Sequence, residues 1–260
     1  MNSREPYKAC APYYRCIASG RDHFESQTRV VKELISRYRL ESPKILDAAC
    51  GSGEVLELLL REGFDAFGSD GSAEMLSLAR EIPFLRDNPK LQPACLWQDL
   101  ASFSSEQQFD LVFILGHAFP HLASSEIPKV IKAVFMKLNP NGLFAFDMRQ
   151  WSRDISGQLR EPNRPIGVRR WKGEFEVNGR QFLLDDCCTY DGAVQRITYD
   201  IQHLRREDDQ HNCSFTLEYS LFDTEDVKQW FADSEFSGNV EFFLPGKWPY
   251  IVVVARKRAG

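Results

Sequence analysis

Short apolar runs alternate with helical patterns between residues 26 and 147, and this alternation restricts the fold more than any other feature of the sequence. The predicted strands are 44–48, 64–68, 93–97, 109–115 and 143–147. The predicted helices are 26–40, 54–60, 73–80 and 126–138. Strands joined by helices favour right-handed crossovers and a mostly parallel, doubly wound sheet. Because such a sheet binds its ligand at the carboxyl ends of its strands, motifs at those ends carry the most functional information.

Local signals fix the ends of two of these helices. Ser72 is predicted to cap the helix that follows it, because a serine side chain accepts a hydrogen bond from the first turn. Asn139-Pro140-Asn141-Gly142 is predicted to end the helix over 126–138 and to form a turn before the next strand.

After residue 165 the pattern changes to antiparallel hairpins. Asn178-Gly179, between two strand-like runs, predicts a two-residue hairpin. A last helix from Asp223 or Thr224, followed by strands at 240–244 and 250–255, predicts a closing antiparallel edge, so the α/β sheet would have seven strands. The expected organisation is an N-terminal arm or lid (1–25), an α/β core (26–165), an antiparallel insertion (166–222) and a closing helix with two strands (223–260).

Composition excludes several classes of protein. The chain has 43% hydrophobic and 27% charged residues, which is typical of a globular protein rather than a disordered one. Its net charge of -5 gives no general attraction to nucleic acid or anionic membrane, and no apolar run approaches the ~20 residues of a membrane span. No apolar signal core is seen at the N-terminus, so we expect a cytoplasmic protein. The seven cysteines lack zinc-ligand spacing, so no metal is expected.

The sharpest motif is the turn Asp47-Ala48-Ala49-Cys50-Gly51-Ser52-Gly53 after the first core strand. A turn that holds a dinucleotide pyrophosphate would have a third glycine where Leu56 stands, and the acidic Asp47 would repel a pyrophosphate. Asp70, at the end of the next strand, can accept hydrogen bonds from both ribose hydroxyls. These features favour a nucleoside with a cationic, phosphate-free tail, which describes S-adenosylmethionine (AdoMet). An ordinary strand–turn–helix junction and a nicotinamide oxidoreductase are the alternatives.

The turn at 47–53 matches the D-x-x-x-G-x-G pattern of class I AdoMet-dependent methyltransferases, and the element order from about 26 to 257 resembles theirs. The segments 70–76, 115–122 and 146–151 resemble, more narrowly, glycine and glycine/sarcosine N-methyltransferases. The resemblance implies a Rossmann-like fold in which the insertion caps the active site. The cofactor-binding residues it implies are Asp47, Ala49, Cys50, Gly51, Gly53, Asp70, Gly71, Met75, Asp99, Leu100, Leu115, His121 and Arg21.

The candidate catalytic residues are Arg149, which the same resemblance implies, His117, which departs from the family pattern, and Tyr14, which precedes the first long helix. Arg149 matches an arginine that clamps the acceptor carboxylate, which suits a planar guanidinium, and its alternative is a surface arginine after a strand. His117 stands where the family has an asparagine, and it either orients or deprotonates the acceptor or merely lines the cleft. Tyr14 either receives the acceptor amine or packs as part of a lid. Gln150-Trp151 replaces the family's Asn-Tyr.

The leading hypothesis is therefore an AdoMet-dependent N-methyltransferase acting on a small-molecule amine such as an amino acid. Alternatives are another acceptor, such as a natural product, a sugar amine, a hydroxyl or a macromolecule, and a non-catalytic AdoMet-binding protein. The basic run at 164–172 is read as a solvated strand edge rather than an RNA site, so no nucleic-acid or membrane partner is expected. A homo-oligomer that exchanges N-terminal arms stays open.

Overall fold

A computed structural model describes residues 5–18, 21–92, 107–153, 159–160, 169–177, 179–191, 194–204, 212–246 and 248–258. The strands are β1 (Lys44–Asp47), β2 (Asp65–Ser69), β3 (Leu91–Gln92), β4 (Phe109–Ile114), β5 (Leu138–Met148), β6 (Ser152–Arg153), β7 (Leu159–Arg160), β8 (Arg169–Val177), β9 (Arg180–Asp191), β10 (Val194–His203), β11 (Cys213–Ser220), β12 (Val240–Phe243) and β13 (Ile251–Arg256). The α-helices are α1 (Glu5–Cys10), α2 (Tyr14–Ile17), α3 (Arg21–Arg37), α4 (Glu54–Arg61), α5 (Ala73–Glu81), α6 (Ile127–Lys137) and α7 (Thr224–Ala232). Short 3-10 helices span Ala11–Tyr13 and Phe119–His121.

The main sheet has the predicted architecture. Among the described residues, seven strands lie in the order β12-β13-β5-β4-β1-β2-β3. The five strands from β5 to β3 are parallel, whereas β13 runs antiparallel to β5 and β12 antiparallel to β13. The α/β fold class, with a mostly parallel seven-stranded sheet and an antiparallel closing edge, is confirmed. The order reverses between β1 and β4, and such a reversal opens a crevice at the carboxyl ends of the strands.

Both faces of this sheet are buried, which is why its strands are continuous apolar runs. Ile45 belongs to a cluster with α3 and α4 residues such as Val31 and Leu59, whereas the adjacent Leu46 belongs to the opposite cluster with Val130 of α6. Successive side chains of a strand point to opposite faces, so a strand covered on both sides needs apolar residues at every position.

A second sheet of four antiparallel strands, in the order β11-β10-β9-β8, forms the predicted insertion. Val177 pairs with Arg180 across residues 178–179, as the two-residue hairpin prediction requires. The N-terminal helices pack against this sheet, where buried Cys10 joins a cluster that includes Phe182 and Ile197. The limits of the four predicted segments stay predictions.

The structure differs from the sequence-based expectations at three places. The first long helix starts at Arg21 rather than residue 26. The third strand is assigned at Leu91–Gln92, and the predicted strand at 93–97 lies outside the described residues. β5 begins at Leu138, and the chain leaves the β4 ladder after Leu138 and rejoins it at Leu143, so residues 139–142 form a bulge within the strand rather than a separate turn.

The predicted cap at Ser72 is present, since its hydroxyl accepts a hydrogen bond from the Met75 N–H at 3.2 Å. No helix in the described part of the chain is both long and apolar enough to cross a membrane.

Candidate functional site

A cleft of about 880 Å³, continuous with solvent, lies beside the ends of β1, β2 and β4. The N-terminal segment contributes Tyr7 and Tyr14 to its wall, and α3 contributes Phe24 and Gln27. The cleft brings together ten of the residues predicted to form a site: Tyr14, Asp47, Ala49, Cys50, Gly51, Asp70, Gly71, Met75, Leu115 and His121. Their roles at a bound cofactor stay predictions.

The glycine turn has the backbone conformation that its sequence indicates. Gly51 and Gly53 both have positive φ, at 52° and 85°, which only glycine adopts without strain. Gly53 does not line the cleft. A Cβ there would lie 2.7 Å from Leu85 Cδ1 and 2.9 Å from Ala79 Cβ, so this glycine allows α4 to start close against the α5 region.

Two carboxylates define the charge of the cleft. Asp70 accepts hydrogen bonds from the backbone N–H of Gly51 at 2.9 Å and of Ser72 at 2.8 Å, and so ties the two turns together. Asp47 is buried and accepts a long bond of 3.4 Å from the Ala49 N–H. Burial, with a contribution from the charge of Asp70, raises the pKa of Asp47 to about 8. A ligand that carries positive charge would relieve this cost.

Tyr7 and His121 form a hydrogen-bonded pair in the wall of the same cleft. His121 Nδ1 lies 2.8 Å from the Glu218 carbonyl of β11, which can only accept, so Nδ1 carries the proton. His121 Nε2 is then an acceptor and receives the Tyr7 hydroxyl proton across 2.9 Å. Burial lowers the pKa of His121 to about 4, so its ring is neutral near pH 7. The lone pairs of the Tyr7 oxygen remain able to accept a hydrogen bond.

His117 lies near this pair, but its side chain does not line the cleft. Its ring is buried and stacks between Tyr219 and Tyr250, with centroid distances of 5.0 and 5.4 Å. Its φ of 62° is unusual for a non-glycine residue. Burial, followed by the charge of Arg149, holds the pKa of the His117 ring well below its usual value, which disfavours a role as a base.

Asp147 fixes the conformation of the turn that carries His117. Its carboxylate accepts hydrogen bonds from the backbone N–H of Gly116 at 3.0 Å and of His117 at 2.7 Å. Asp147 is fully buried at the end of β5, and burial raises its pKa to about 7. The carboxyl therefore joins β5 to the turn that follows β4, and this turn leads directly to His121.

The other predicted site residues lie outside the cleft or outside the described residues. The Arg149 guanidinium lies 5.9 Å from the centre of the Tyr219 ring, and Arg149 does not line the cleft. Asp99 and Leu100 lie outside the described residues, as does part of the basic run at 164–172, and the Arg21 side chain is not described. Burial raises the pKa of Cys50 well above its usual value, in agreement with a filler role rather than a nucleophilic one.

Sequence reasoning missed several cleft residues. Tyr7 is one, although the predicted lid segment contains it, because its contact partner His121 is 114 residues away. Phe24 and Gln27 of α3 also line the cleft. Phe24 lies before the predicted helix over 26–40, and Gln27 lies at its start. Gly116 and Ala118 lie between Leu115 and His121 in the segment that was already singled out, which was the available signal.

Comparisons with known proteins agree with this geometry. Residues 45–142 match the methyltransferase domain family. The glycine/sarcosine N-methyltransferase of Halorhodospira halochloris is 34% identical over 109 residues, which is 42% of this chain and 40% of that protein, so the matched region spans less than half of the relative. The sugar N-methyltransferase KedS8 of Streptoalloteichus has the same fold, with a TM-score of 0.73 at 21% identity over 94% of this chain and 92% of that one. The SAM-bound amino pentose methyltransferase CalS10 of Micromonospora echinaspora gives a TM-score of 0.65 at 19% identity over 94% of each chain.

Residues 45–142 are similar to a methyltransferase domain, and the chain as a whole has the fold of the class I AdoMet-dependent methyltransferases. The cofactor of this class is AdoMet, and the cleft fits it. A buried carboxyl at Asp47, with its pKa raised by burial, is suited to an ammonium group. Asp70 is placed to bind ribose hydroxyls, and Gly51 leaves space that a side chain would occupy, since a Cβ there would lie 3.7 Å from the Tyr14 hydroxyl.

Proposed function

We propose that the protein transfers a methyl group from AdoMet to the amine nitrogen of a small molecule. The observation that supports an amine acceptor is the direction of the hydrogen bonds at Tyr7 and His121. Because the Tyr7 proton is directed to His121, the Tyr7 oxygen can accept a hydrogen bond from an N–H or O–H of a ligand, and the similarity to a glycine/sarcosine N-methyltransferase favours the N–H.

The chain contributes alignment rather than acid–base chemistry in this proposal. AdoMet supplies a methyl group on a positively charged sulfur, which an amine lone pair displaces in line. Tyr7 accepts one N–H of the amine and so directs the nitrogen lone pair, an effect of orientation that can lower a barrier substantially. His121 is a poor base near pH 7, since its pKa is lowered to about 4. The amine therefore enters in its neutral form, which an α-amino group with a reference pKa of ~8 provides in part.

Sequence similarity supports a glycine-like acceptor, whereas the structural neighbours support an amino sugar. The glycine/sarcosine N-methyltransferase matched above supports an amino acid. Its carboxylate would need a cation, and Arg149, the residue implied by resemblance, lies over the Tyr219 ring and does not line the cleft. This placement favours, as a second candidate, an acceptor without a carboxylate, such as the amino sugars of the structural neighbours KedS8 and CalS10.

The four-stranded sheet supports a role as the cover of the acceptor end. β11 supplies the carbonyl that holds His121 and the Tyr219 ring that stacks on His117. We therefore propose that the insertion positions the acceptor contacts at Tyr7 and His121, while most cofactor contacts come from the α/β core.

The test is a transfer assay with AdoMet labelled in its methyl group. The acceptors are glycine, sarcosine, and an amino sugar with its hydroxyl analogue as the matched control. Labelled product from an amine but not from its hydroxyl analogue would support the proposal. AdoMet binding by calorimetry without transfer to any small amine would refute the amine acceptor and leave the cofactor assignment intact.

A further inference from the structure

Arg15 lies on α2 next to Tyr14, and its guanidinium contacts two helices of the core at once. Nε donates to Glu54 Oε1 at 2.6 Å, Nη1 to Glu81 Oε2 at 3.0 Å, and Nη2 to the Leu78 carbonyl at 2.9 Å. A planar guanidinium presents N–H donors in several directions and can reach three acceptors at once. A lysine ammonium concentrates its charge on one nitrogen and cannot span them equally well.

The two helices that Arg15 contacts are those that begin at the cofactor turns. α4 begins at Glu54, directly after the glycine turn, and the Ser52 hydroxyl donates to the same carboxylate. α5 begins after Asp70 and Ser72, and Arg15 contacts its last turn. A cation is favourable there, because the helix dipole places negative potential at the carboxyl end of a helix.

The segment that carries Arg15 also covers the glycine turn. The Tyr14 hydroxyl lies 3.7 Å from where a Cβ on Gly51 would be, and Gly51 and Ser52 are buried. A ligand bound at Gly51 therefore lies directly beside Tyr14, which lines the same cleft.

We propose that Arg15 is a positioning residue that holds residues 5–17 over the AdoMet site, so that cofactor release becomes faster when its ionic contacts break. The inference rests on the proposed function for its cofactor only and is independent of the acceptor. Most of the effect comes from Glu54, whose side chain is 18% exposed, because the 62% exposed Glu81 makes a contact that solvent screens.

The experiment measures dissociation of labelled S-adenosylhomocysteine, chased with unlabelled ligand, from the full chain and its variants. Arg15→Gln is expected to release the ligand about tenfold faster, the effect of a loss of ~1.4 kcal/mol. Its KM for AdoMet should rise by a similar factor, while kcat changes much less. Arg15→Lys should fall between wild type and Arg15→Gln, and Glu81→Gln should change the rate less than twofold.

Arg61→Gln is the matched control, because it removes the same charge from a residue that pairs with Glu57 of its own helix and lies over the Phe84 ring. Hydrogen exchange in the unliganded protein gives a second readout, in which the amides of residues 5–17 should exchange faster in Arg15→Gln and not in Arg61→Gln. Equal release rates in these two variants would overturn the proposal, as would faster exchange throughout the protein. A wild type that binds no S-adenosylhomocysteine would instead overturn the cofactor assignment.

Discussion

The affinity for AdoMet should depend on pH through Asp47. Burial raises the pKa of this carboxyl to about 8 in the free protein, so most molecules carry it protonated at pH 7. Only the ionised form attracts the AdoMet ammonium, so the apparent dissociation constant equals the intrinsic one divided by the fraction in that form. As long as the bound-state pKa lies below the range measured, affinity should rise roughly tenfold per pH unit from about pH 5.5 to 7.5. Isothermal calorimetry across this range, in buffers of different ionisation heat, would also count the proton released on binding.

Asp47→Asn is the matched variant, since the amide keeps the size of the side chain without its titration. It should bind AdoMet weakly and with little pH dependence below pH 7.5. Although this substitution should weaken AdoMet binding, it should stabilise the fold of the free protein. The pKa of Asp47 is higher folded than unfolded, so this carboxyl destabilises the free protein increasingly as pH rises from about 4 to about 8. The free energy of unfolding of Asp47→Asn at pH 7 without ligand should therefore exceed that of the wild type by at most about 4 kcal/mol. The variant should accordingly unfold at a higher temperature. A wild-type affinity that stays flat with pH, or a variant with the wild-type slope, would refute the reasoning.

Three further substitutions test the site and the turns around it. Tyr7→Phe should lower kcat/KM for the acceptor by roughly 10- to 100-fold while the AdoMet dissociation constant stays within twofold, because the oxygen that accepts the amine N–H is lost together with its hydrogen bond to His121; equal losses in both would contradict this role. Gly53→Ala should lower the free energy of unfolding by roughly 1–3 kcal/mol in denaturant titrations, since its Cβ would meet Leu85 at 2.7 Å. Gly63→Ala, with a φ of 88° but nothing within 4 Å of its Cβ, is the control and should lose less. Ser72→Ala should lose about 1 kcal/mol of stability through its helix cap, which a melting curve at pH 7 would detect.

The parts of the candidate site that could be predicted are those whose conformation depends on residues close to them in the sequence. Gly51, Gly53 and Asp70 lie in turns whose backbone is set by local sequence, and the strand order then brings them together. The Tyr7–His121 pair could not be predicted in this way, because it joins residues 114 positions apart through the docking of α1 on β11. The position of His117 between two tyrosines depends in the same way on β11 and on the segment before β13. Local patterns carry no information on such contacts.

The two ends of the cleft also differ in what a relative can reveal about them. The family match covers residues 45–142, which include Asp47, the glycine turn and Asp70. It excludes Tyr7, Tyr14 and the β11 residues that hold His121 and stack on His117. In the proposed function, likeness over the core therefore constrains the cofactor, while acceptor contacts depend in part on segments outside the match. Proteins named for glycine and proteins named for sugars can therefore resemble the same core. The acceptor specificity of this chain has to be measured on the chain itself.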